Sequence, residues 1–307
     1  MFRLHLLSLT LCLSLTCVCQ SQAQKKGIFT DPAKAGPDFV LQGEYVSTGN
    51  DKMAAQVVAL GKDQFDVYVL NGGLPGAGWD QKKRTVLKAK RTDDSVTVQG
   101  KEWTGTLTKG KLMLKHGDRP LSFKKVHRDS PTVGAKPPKG AVVLFAGANA
   151  DQWAGGKIVE ENLLHCGCRS KERFGLGKYH IEFRTPFRPT GRGQGRGNSG
   201  VYIVGREIQV LDSFALEGKK NECGAYYGRS GPSVNMCYPP LTWQTYDVDL
   251  KTDKDGKVVA TVLHNGVKIH DNFPIGVNAN SMSQINLQNH GNPVVFRNIW
   301  HVPANKN

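Results

Sequence analysis

The segment EIQVLDS (207–213) places two carboxylates within one short, mostly apolar run. Glu207 and Asp212 flank Gln209 in the spacing Glu-x-Gln-x-x-Asp. On a regular strand, side chains five residues apart face opposite sides, so the two carboxylates share a face only if a β-bulge adds a residue. Two carboxylates on one face can serve as base and acid at a sugar. The spacing therefore nominates Glu207 and Asp212 as catalytic residues.

Polar side chains in nearby segments alternate with apolar ones, as expected for strands with one polar face. A merely solvated face is usually rich in Lys and Thr, whereas this one is rich in residues that hold several directional hydrogen bonds. If these strands are neighbours, we expect their polar faces to form one concave substrate-binding floor. Its predicted members are Glu182, Arg184, Asn198, Tyr202, Gln209 and Gln288, and His290 is a third catalytic candidate.

The elements that must position these residues are β-strands. The chain has 307 residues with 39% hydrophobic and 22% charged residues, which excludes disorder and coiled coil, and its 35 Gly and 15 Pro favour many turns. Short alternating runs recur throughout without a βαβ rhythm. We therefore predict an all-β protein: a small antiparallel β domain (24–130), a Pro-rich linker (131–139) and a two-sheet jelly-roll sandwich (140–304).

The first 23 residues have the pattern of an export signal. Arg3 precedes an apolar run too short to span a bilayer, and Ser21-Gln22-Ala23 is a small-x-small cleavage site. A lipoprotein signal fits less well, because large residues or Thr precede each cysteine of this segment. No later segment is apolar enough to span a membrane. We expect a periplasmic or extracellular protein that begins near Gln24.

Removal of residues 1–23 leaves four cysteines, an even number that permits disulfides in an oxidising compartment. A disulfide between Cys223 and Cys237, which would close one loop, is the preferred interpretation. Zinc is the alternative, although Cys166-x-Cys168 followed by two cysteines 14 apart lacks the Cys-x-x-Cys spacing of zinc knuckles.

Basic residues exceed acidic ones, giving a formal net charge of +15. Residues 24–139 contain 21 Lys and Arg against 12 Asp and Glu, so most of the excess lies in the first domain. A basic face there would attract anionic envelope material, although singly scattered lysines are usually only solvated. No stripe of aromatic residues and arginines indicates a nucleic-acid partner.

A set of motifs in the second half recurs in order along one known family. They are YHIEFR (179–184), RGNSGVYIVG (196–205), EIQVLDS (207–213), CGAYYG (223–228), PPLTWQTYDVDL (239–250), HNGVKIHDN (264–272), LQNHG (287–291) and VVFRNIW (294–300). Together they resemble the 3-keto-disaccharide hydrolase domain family, which has a concanavalin A-like jelly roll. The resemblance covers about 140–303, and residues 24–139 resemble an N-terminal β extension found in some exported members. Two departures are LQNHG, with Asn289 where the resemblance leads us to expect Asp, and GREIQVLDS, one residue shorter than the common GxYExQxLDS.

The resemblance implies cleavage of glycosides whose sugar carries a ketone at the 3 position. The ketone acidifies the hydrogen on the neighbouring carbon, so that a base can remove it and expel the glycosidic oxygen. Glu207 would be the base, Asp212 or His290 the acid, and Arg184, Asn198 and Gln209 would stabilise the enolate-like oxygen. No cofactor is required, but a divalent metal at Glu207, Asp212 and His290 would also suit this chemistry.

Two other functions remain open at this stage. A lectin-like carbohydrate-binding protein could have the same fold, because fold alone does not decide function. It would present aromatic platforms on the concave floor, for which Tyr202, Tyr226, Tyr227 and Trp243 are candidates. A structural envelope protein with an adhesive basic domain is the third possibility.

Overall fold

The computed structural model describes residues 27–92, 95–160 and 162–304, so the predicted export signal lies outside the described residues. The regular secondary structure of the described residues is almost entirely β-strand, which confirms the predicted all-β class. Helical segments are short: the α-helix Gly36–Leu41 and the 3₁₀ turns Pro32–Lys34 and Gly193–Gly195. Among these residues no helix is long and apolar enough to cross a membrane.

The first half forms a closed antiparallel barrel of eight strands. Tyr45 in the first strand pairs with both Ala55 in the second and Lys125 in the eighth, which closes the barrel. Alternate side chains point inward and pack as one apolar core, as the alternating sequence predicts. The strands are β1 (Gly43–Ser47), β2 (Met53–Gly61), β3 (Gln64–Asn71), β4 (Thr85–Thr92), β5 (Ser95–Gln99), β6 (Trp103–Thr108), β7 (Lys111–His116) and β8 (Arg119–Val126).

The second half is a sandwich of two antiparallel sheets around a second core. The strands are β9 (Val142–Phe145), β10 (Trp153–Ala154), β11 (Ile158–Val159), β12 (Leu163–His165), β13 (Cys168–Phe174), β14 (Gly177–Arg184), β15 (Ser199–Ile203), β16 (Arg206–Val210), β17 (Gln244–Thr252), β18 (Val258–His264), β19 (Val267–Pro274), β20 (Ser283–Leu287) and β21 (Val295–Pro303).

Five strands form one sheet in the order β10-β13-β20-β15-β16, and the larger sheet has the order β11-β12-β21-β14-β17-β18-β19, with β9 also paired to β21. The predicted hairpin at Asn265-Gly266 joins β18 to β19, and both residues have positive φ values (51° and 77°). Such values are typical of a primed turn, which Asn-Gly favours.

The barrel and the sandwich share part of their packing. Phe29, before the barrel, exchanges two backbone hydrogen bonds of 2.9 Å with Phe187, in the loop after β14. Phe187 is fully buried among the residues of the barrel core. The loop of residues 185–198 is therefore anchored in the barrel, although it connects two strands of the sandwich.

The predicted Pro-rich linker is not a free connection. Its backbone lies on the outer face of the larger sheet, where the Gly134 N–H donates to Glu182 and the Ala135 carbonyl accepts from Asn298 and Trp300. The linker therefore covers Glu182, a polar side chain that the alternating sequence pattern predicted to face solvent.

Candidate active site

The hairpin β15–β16 presents the candidate residues on the outer face of the five-stranded sheet. Because Val201 and Ile208 are cross-strand partners that point into the core, their neighbours Tyr202 and Glu207 point outward. Gln209 lies on the same outer face, two residues from Glu207.

Glu207 is half-buried and closely held. Its Oε2 accepts a hydrogen bond of 2.8 Å from the Tyr202 hydroxyl. Its Oε1 lies above Gly200, where an added Cβ would come within 2.2 Å of that oxygen. Gly200 therefore provides the space that the carboxylate occupies, and an alanine there would displace it.

Burial raises the pKa of Glu207, because removal from water disfavours the charged carboxylate. The Tyr202 hydrogen bond and the nearby His290 oppose this shift, but the net direction is upward. A glutamate with a raised pKa accepts a proton more readily than an ordinary one, which suits a general base.

An amide cluster borders the carboxylate. The Gln194 side chain lies 2.9 Å from the Asn198 amide nitrogen and 3.0 Å from the Gln209 amide. The polar surroundings favour the Gln209 orientation in which its nitrogen faces Glu207 Oε1, at 3.2 Å. Asn198 Oδ1 is buried and has no hydrogen-bond partner among the described residues. Asn198 and Gln209 are fully buried, so the half-buried Gln194 is the amide of this cluster that can contact a hydroxyl-rich ligand.

Gln288 and His290 approach from the end of β20. The Gln288 amide nitrogen donates to the Tyr202 hydroxyl at 3.2 Å, and its backbone N–H donates to the Gly200 carbonyl. His290 is exposed. Asn289 accepts a hydrogen bond of 2.9 Å from the Gly291 N–H and so shapes this turn.

An aromatic residue completes the row of side chains across the sheet. The Tyr227 N–H donates to the Glu207 carbonyl, so this segment runs beside the edge strand β16. Tyr227 is 45% exposed, whereas Tyr226 is buried in the core. A hollow of about 200 Å³ lies between Tyr202 and Tyr227, with Glu207 in its wall. A larger hollow between barrel loops, of about 410 Å³, contains only Asp51 and Lys52 as charged groups and lies apart from this cluster.

Glu182 and Arg184 do not belong to this site, contrary to the sequence prediction. They lie on the outer face of the larger sheet, across the sandwich core from Glu207, because Ile181 and Phe183 of the same strand point inward. Arg184 pairs with Glu160. Trp243, a predicted aromatic platform, also lies on this side, in contact with the Arg184 guanidinium.

Glu182 has a structural role in this environment. Burial opposes its charge, but hydrogen bonds from His180, Asn298, the Gly134 N–H and Arg297 lower the pKa of Glu182 to about 2. All these donors belong to the larger sheet or the docked linker. Glu182 therefore holds the linker to the sheet and cannot reach a ligand on the opposite face.

The structure also places Asp212 outside the site to which the sequence prediction assigned it. It is 2% exposed, and its Oδ2 accepts a hydrogen bond of 2.7 Å from Arg196 Nε. The carboxylate is near the buried thiols of Cys223 and Cys237, on the core side of the strand. It therefore cannot form a dyad with Glu207. It also cannot share a metal with Glu207 and His290, and residues 27–92, 95–160 and 162–304 contain no cluster of three or more potential metal-ligating side chains.

The predicted Cys223–Cys237 disulfide is not present; all four described cysteines are free thiols. Cys223 Sγ lies 3.2 Å from the Tyr246 hydroxyl, and Cys237 Sγ donates to the Leu211 carbonyl at 3.4 Å. Burial raises the pKa of the Cys237 thiol, which keeps it protonated and unreactive. The thiols thus serve as core groups.

The sequence reasoning missed Gln194 and Gly200 and weighed Tyr227 only as a lectin platform. Gly200 carried a signal, because a glycine inside a strand often marks close approach of another group. Gln194 carried none, since its position depends on a loop held by the barrel. Of the predicted site residues, the structure brings together Glu207, Asn198, Tyr202, Gln209, Gln288 and His290.

Comparison with known proteins agrees with an all-β carbohydrate-active enzyme. Residues 140–301 match the family described as the 3-keto-alpha-glucoside-1,2-lyase-like domain, and the chain belongs to this family. It is a glycoside hydrolase of the 3-keto-disaccharide hydrolase type. No curated protein matches the chain.

Two solved structures from Parabacteroides distasonis, each provisionally named a glycosyl hydrolase, are similar to this chain. The first is 28% identical with a TM-score of 0.49, covering 54% of this chain and 85% of its own. The second is 18% identical with a TM-score of 0.43, covering 54% and 95%.

Replacing Tyr202 with Phe should shift the acidic side of the pH profile of kcat/KM to higher pH. The Tyr202 hydrogen bond stabilises the charged form of Glu207 and lowers its pKa, so its loss raises that pKa further. Activity that needs the ionised carboxylate then disappears at a higher pH as the solution is acidified. The measurement is the pH profile of kcat/KM. Tyr68→Phe, in β3 of the barrel, is the control and should leave the pH profile unchanged. An unchanged profile in Tyr202→Phe would show that this hydrogen bond does not affect the pKa of Glu207.

Proposed function

We propose that the sandwich domain cleaves 3-keto-glycosides by elimination followed by hydration, with Glu207 as the base. Glu207 takes the proton from the carbon between the ketone and the anomeric centre. The electron pair of that C–H bond forms an enolate. When the enolate returns to a ketone, a carbon–carbon double bond forms, and the anomeric C–O bond breaks with its electron pair leaving on the glycosidic oxygen. Water then adds across the resulting double bond, with its hydroxyl at the anomeric carbon and a proton returned to the neighbouring carbon.

The other residues of the site act on the charges of this reaction. The Gln209 amide nitrogen faces Glu207 Oε1, and the Asn198 nitrogen is held by Gln194, so these two buried amides order the site from below. The half-buried Gln194 amide donates a hydrogen bond to the enolate oxygen, where negative charge develops. His290 is the acid that protonates the departing oxygen, because it is exposed and lies near Glu207. Tyr202 and Gln288 fix the orientation of the base through their hydrogen bonds.

One observation supports this proposal above the others: a half-buried carboxylate with a raised pKa lies on an open polar sheet face, held by a tyrosine above a glycine. An ordinary retaining or inverting glycosidase requires a second carboxylate, and Asp212, the one that the sequence indicated, is buried and engaged with Arg196. A single base suffices when the ketone supplies the acidity.

The test compares matched 4-nitrophenyl glucosides with and without the 3-ketone, using the full mature chain. We expect nitrophenol release from the keto compound at a rate at least about 10²-fold above that of the plain glucoside, since a positioned base contributes on this scale only where there is an acidic proton to remove. Equal rates on the two compounds would contradict the ketone mechanism.

We also propose that the protein is exported and acts in the periplasm or outside the cell, on the basis of the N-terminal pattern described above. N-terminal sequencing of the protein recovered outside the cytoplasm should begin near Gln24. Recovery with Met1 retained would contradict export.

A further inference from the structure

Two arginines meet beside the Glu207 hollow and lack acidic partners. Arg206 Nε donates to the Ile275 carbonyl at 2.8 Å, and Arg229 donates to the same carbonyl. A Cβ on Gly276 would lie 3.4 Å from Arg229 Nη2 and 3.8 Å from Arg206 Nη2, so both guanidinium groups meet at this point. Among the described residues, no carboxylate lies within 4.0 Å of either group.

This arrangement leaves positive charge uncompensated. Backbone carbonyls accept hydrogen bonds but cancel no net charge, and two like charges side by side repel each other. Each guanidinium has five N–H donors in a planar fork suited to carboxylate, sulfate or phosphate. Arg206 is half-exposed and Arg229 is exposed, so an anion can approach both from solvent.

The hollow connects these arginines to the catalytic carboxylate. Its walls include Tyr202, Tyr227, Arg206, Arg229 and Glu207, and its volume is about 200 Å³. This volume is below the ~300 Å³ of pockets that hold drug-sized ligands, so it suits a single ring. The half-exposed Tyr227 offers the ring a flat face for stacking.

The two sides of Glu207 therefore differ in chemistry. The amide cluster lies on one side, and its half-buried member Gln194 suits the uncharged hydroxyls and ketone of the sugar. The aromatic and cationic hollow lies on the other side and suits a flat or charged group. Such a division corresponds to the sugar and the leaving group of one glycoside.

We propose that the hollow is an aglycone subsite that selects leaving groups carrying a negative charge, held by Arg206 and Arg229. This inference rests on the proposed function, since it assigns the leaving-group side of the same site. The anion is bound at the rim, away from the Glu207 carboxylate, and the ring that carries it lies against Tyr227.

The test uses the 3-keto-glucosides of 3-hydroxybenzoate and 3-hydroxybenzamide, which differ mainly in the charge of the leaving group. We expect kcat/KM to be about tenfold higher for the carboxylate compound, the scale of one hydrogen-bonded charge pair. Raising the salt from about 0.05 to about 0.5 M should reduce the preference, because the charges are partly exposed.

The ratio of kcat/KM for the two compounds, measured in arginine variants, tests whether the arginines cause the preference for the anion. Arg229→Gln should lower the ratio, and the double variant Arg206→Gln/Arg229→Gln should bring it close to one. Arg229→Lys should retain more of the preference than Arg229→Gln, because the charge remains. Arg173→Gln is the matched control: Arg173 is an exposed arginine that also donates to a backbone carbonyl, that of Met282, on a strand about 14 Å away across the sheet. Its ratio should stay at the wild-type value.

Direct binding separates this inference from the proposed reaction. Calorimetry with 3-hydroxybenzoate and 3-hydroxybenzamide requires no turnover. It should show about tenfold tighter binding of the anion, reduced in Arg229→Gln and lost in the double variant. If neither glycoside is cleaved but this difference appears, the reaction is wrong and the subsite stands. Equal affinities, or a preference that survives loss of both arginines, would overturn the subsite.

Discussion

Glu207→Gln should lower kcat on a 3-keto-glucoside by about 10²- to 10⁴-fold, the usual contribution of a positioned general base. The amide cannot accept the proton, but it has nearly the same shape and can still accept the Tyr202 hydrogen bond. The fold and the affinity for a non-reacting substrate analogue should therefore stay near wild type. Single-turnover kinetics and calorimetry with the same preparation separate the two effects.

Glu217→Gln is the matched control, because Glu217 is an exposed glutamate whose salt bridge to Lys219 is a surface contact. It should leave kcat unchanged. Unchanged keto-glucoside cleavage by Glu207→Gln would remove Glu207 from the catalytic role. Equal loss of binding and rate would instead indicate that Glu207 serves to hold the substrate.

Arg196→Met should destabilise the protein by about 3–5 kcal/mol, because it leaves the Asp212 carboxylate buried without its partner. Arg196 is 6% exposed and also donates to the barrel, at the Ala59 carbonyl (3.3 Å) and the Gln42 side chain (3.4 Å). The same substitution therefore removes the contacts with the barrel that lie two residues before Asn198. Urea unfolding measures the change in the free energy of unfolding.

Activity should fall in the same variant even where it remains folded. Misplacement of catalytic groups by about 1 Å can cost up to ~10²-fold in rate, and Arg196 holds the loop that carries Gln194 and Asn198. Adding Asp212→Asn should recover part of the stability, since the amide carries no charge, but not the anchoring to the barrel. Lys268→Met, which breaks a half-exposed pair with Asp271, should change stability by no more than about 0.5 kcal/mol. A comparable loss there would show that the effect of Arg196→Met is not specific to its burial.

Further contacts connect the barrel to the loop that leads to the Glu207 site. Gly61 of β2 faces Thr190, and Arg192 donates to the Leu60 carbonyl at 3.0 Å. The loop between β14 and β15 is thus held on one side by the barrel and ends on the other at the amide cluster. The isolated sandwich would lose this support and expose Phe187.

Alternation along the chain was sufficient to predict the strands that carry the site residues and the side of each of them that faces the core. It placed Glu207, Gln209 and Tyr202 opposite Val201 and Ile208, because successive side chains of any extended backbone point to opposite sides. The Asn-Gly turn was equally local, since its positive φ values depend on those two residues. Such features are properties of a few consecutive residues and need no knowledge of the rest of the fold.

Tertiary structure alone decided which polar faces meet. Alternation states that Arg184 and Glu207 both point away from a core, but it does not state in which of the two sheets each strand lies. Strand pairing joins residues far apart in the chain, such as Cys168 with Leu287, and it put the two side chains on opposite sides of the sandwich. Asp212 was drawn inward because a buried arginine 16 residues earlier neutralises it, a pairing that depends on the anchoring of the loop in the barrel. The sequence thus determined the local geometry of the base, and the non-local packing of two sheets and a barrel determined its neighbours.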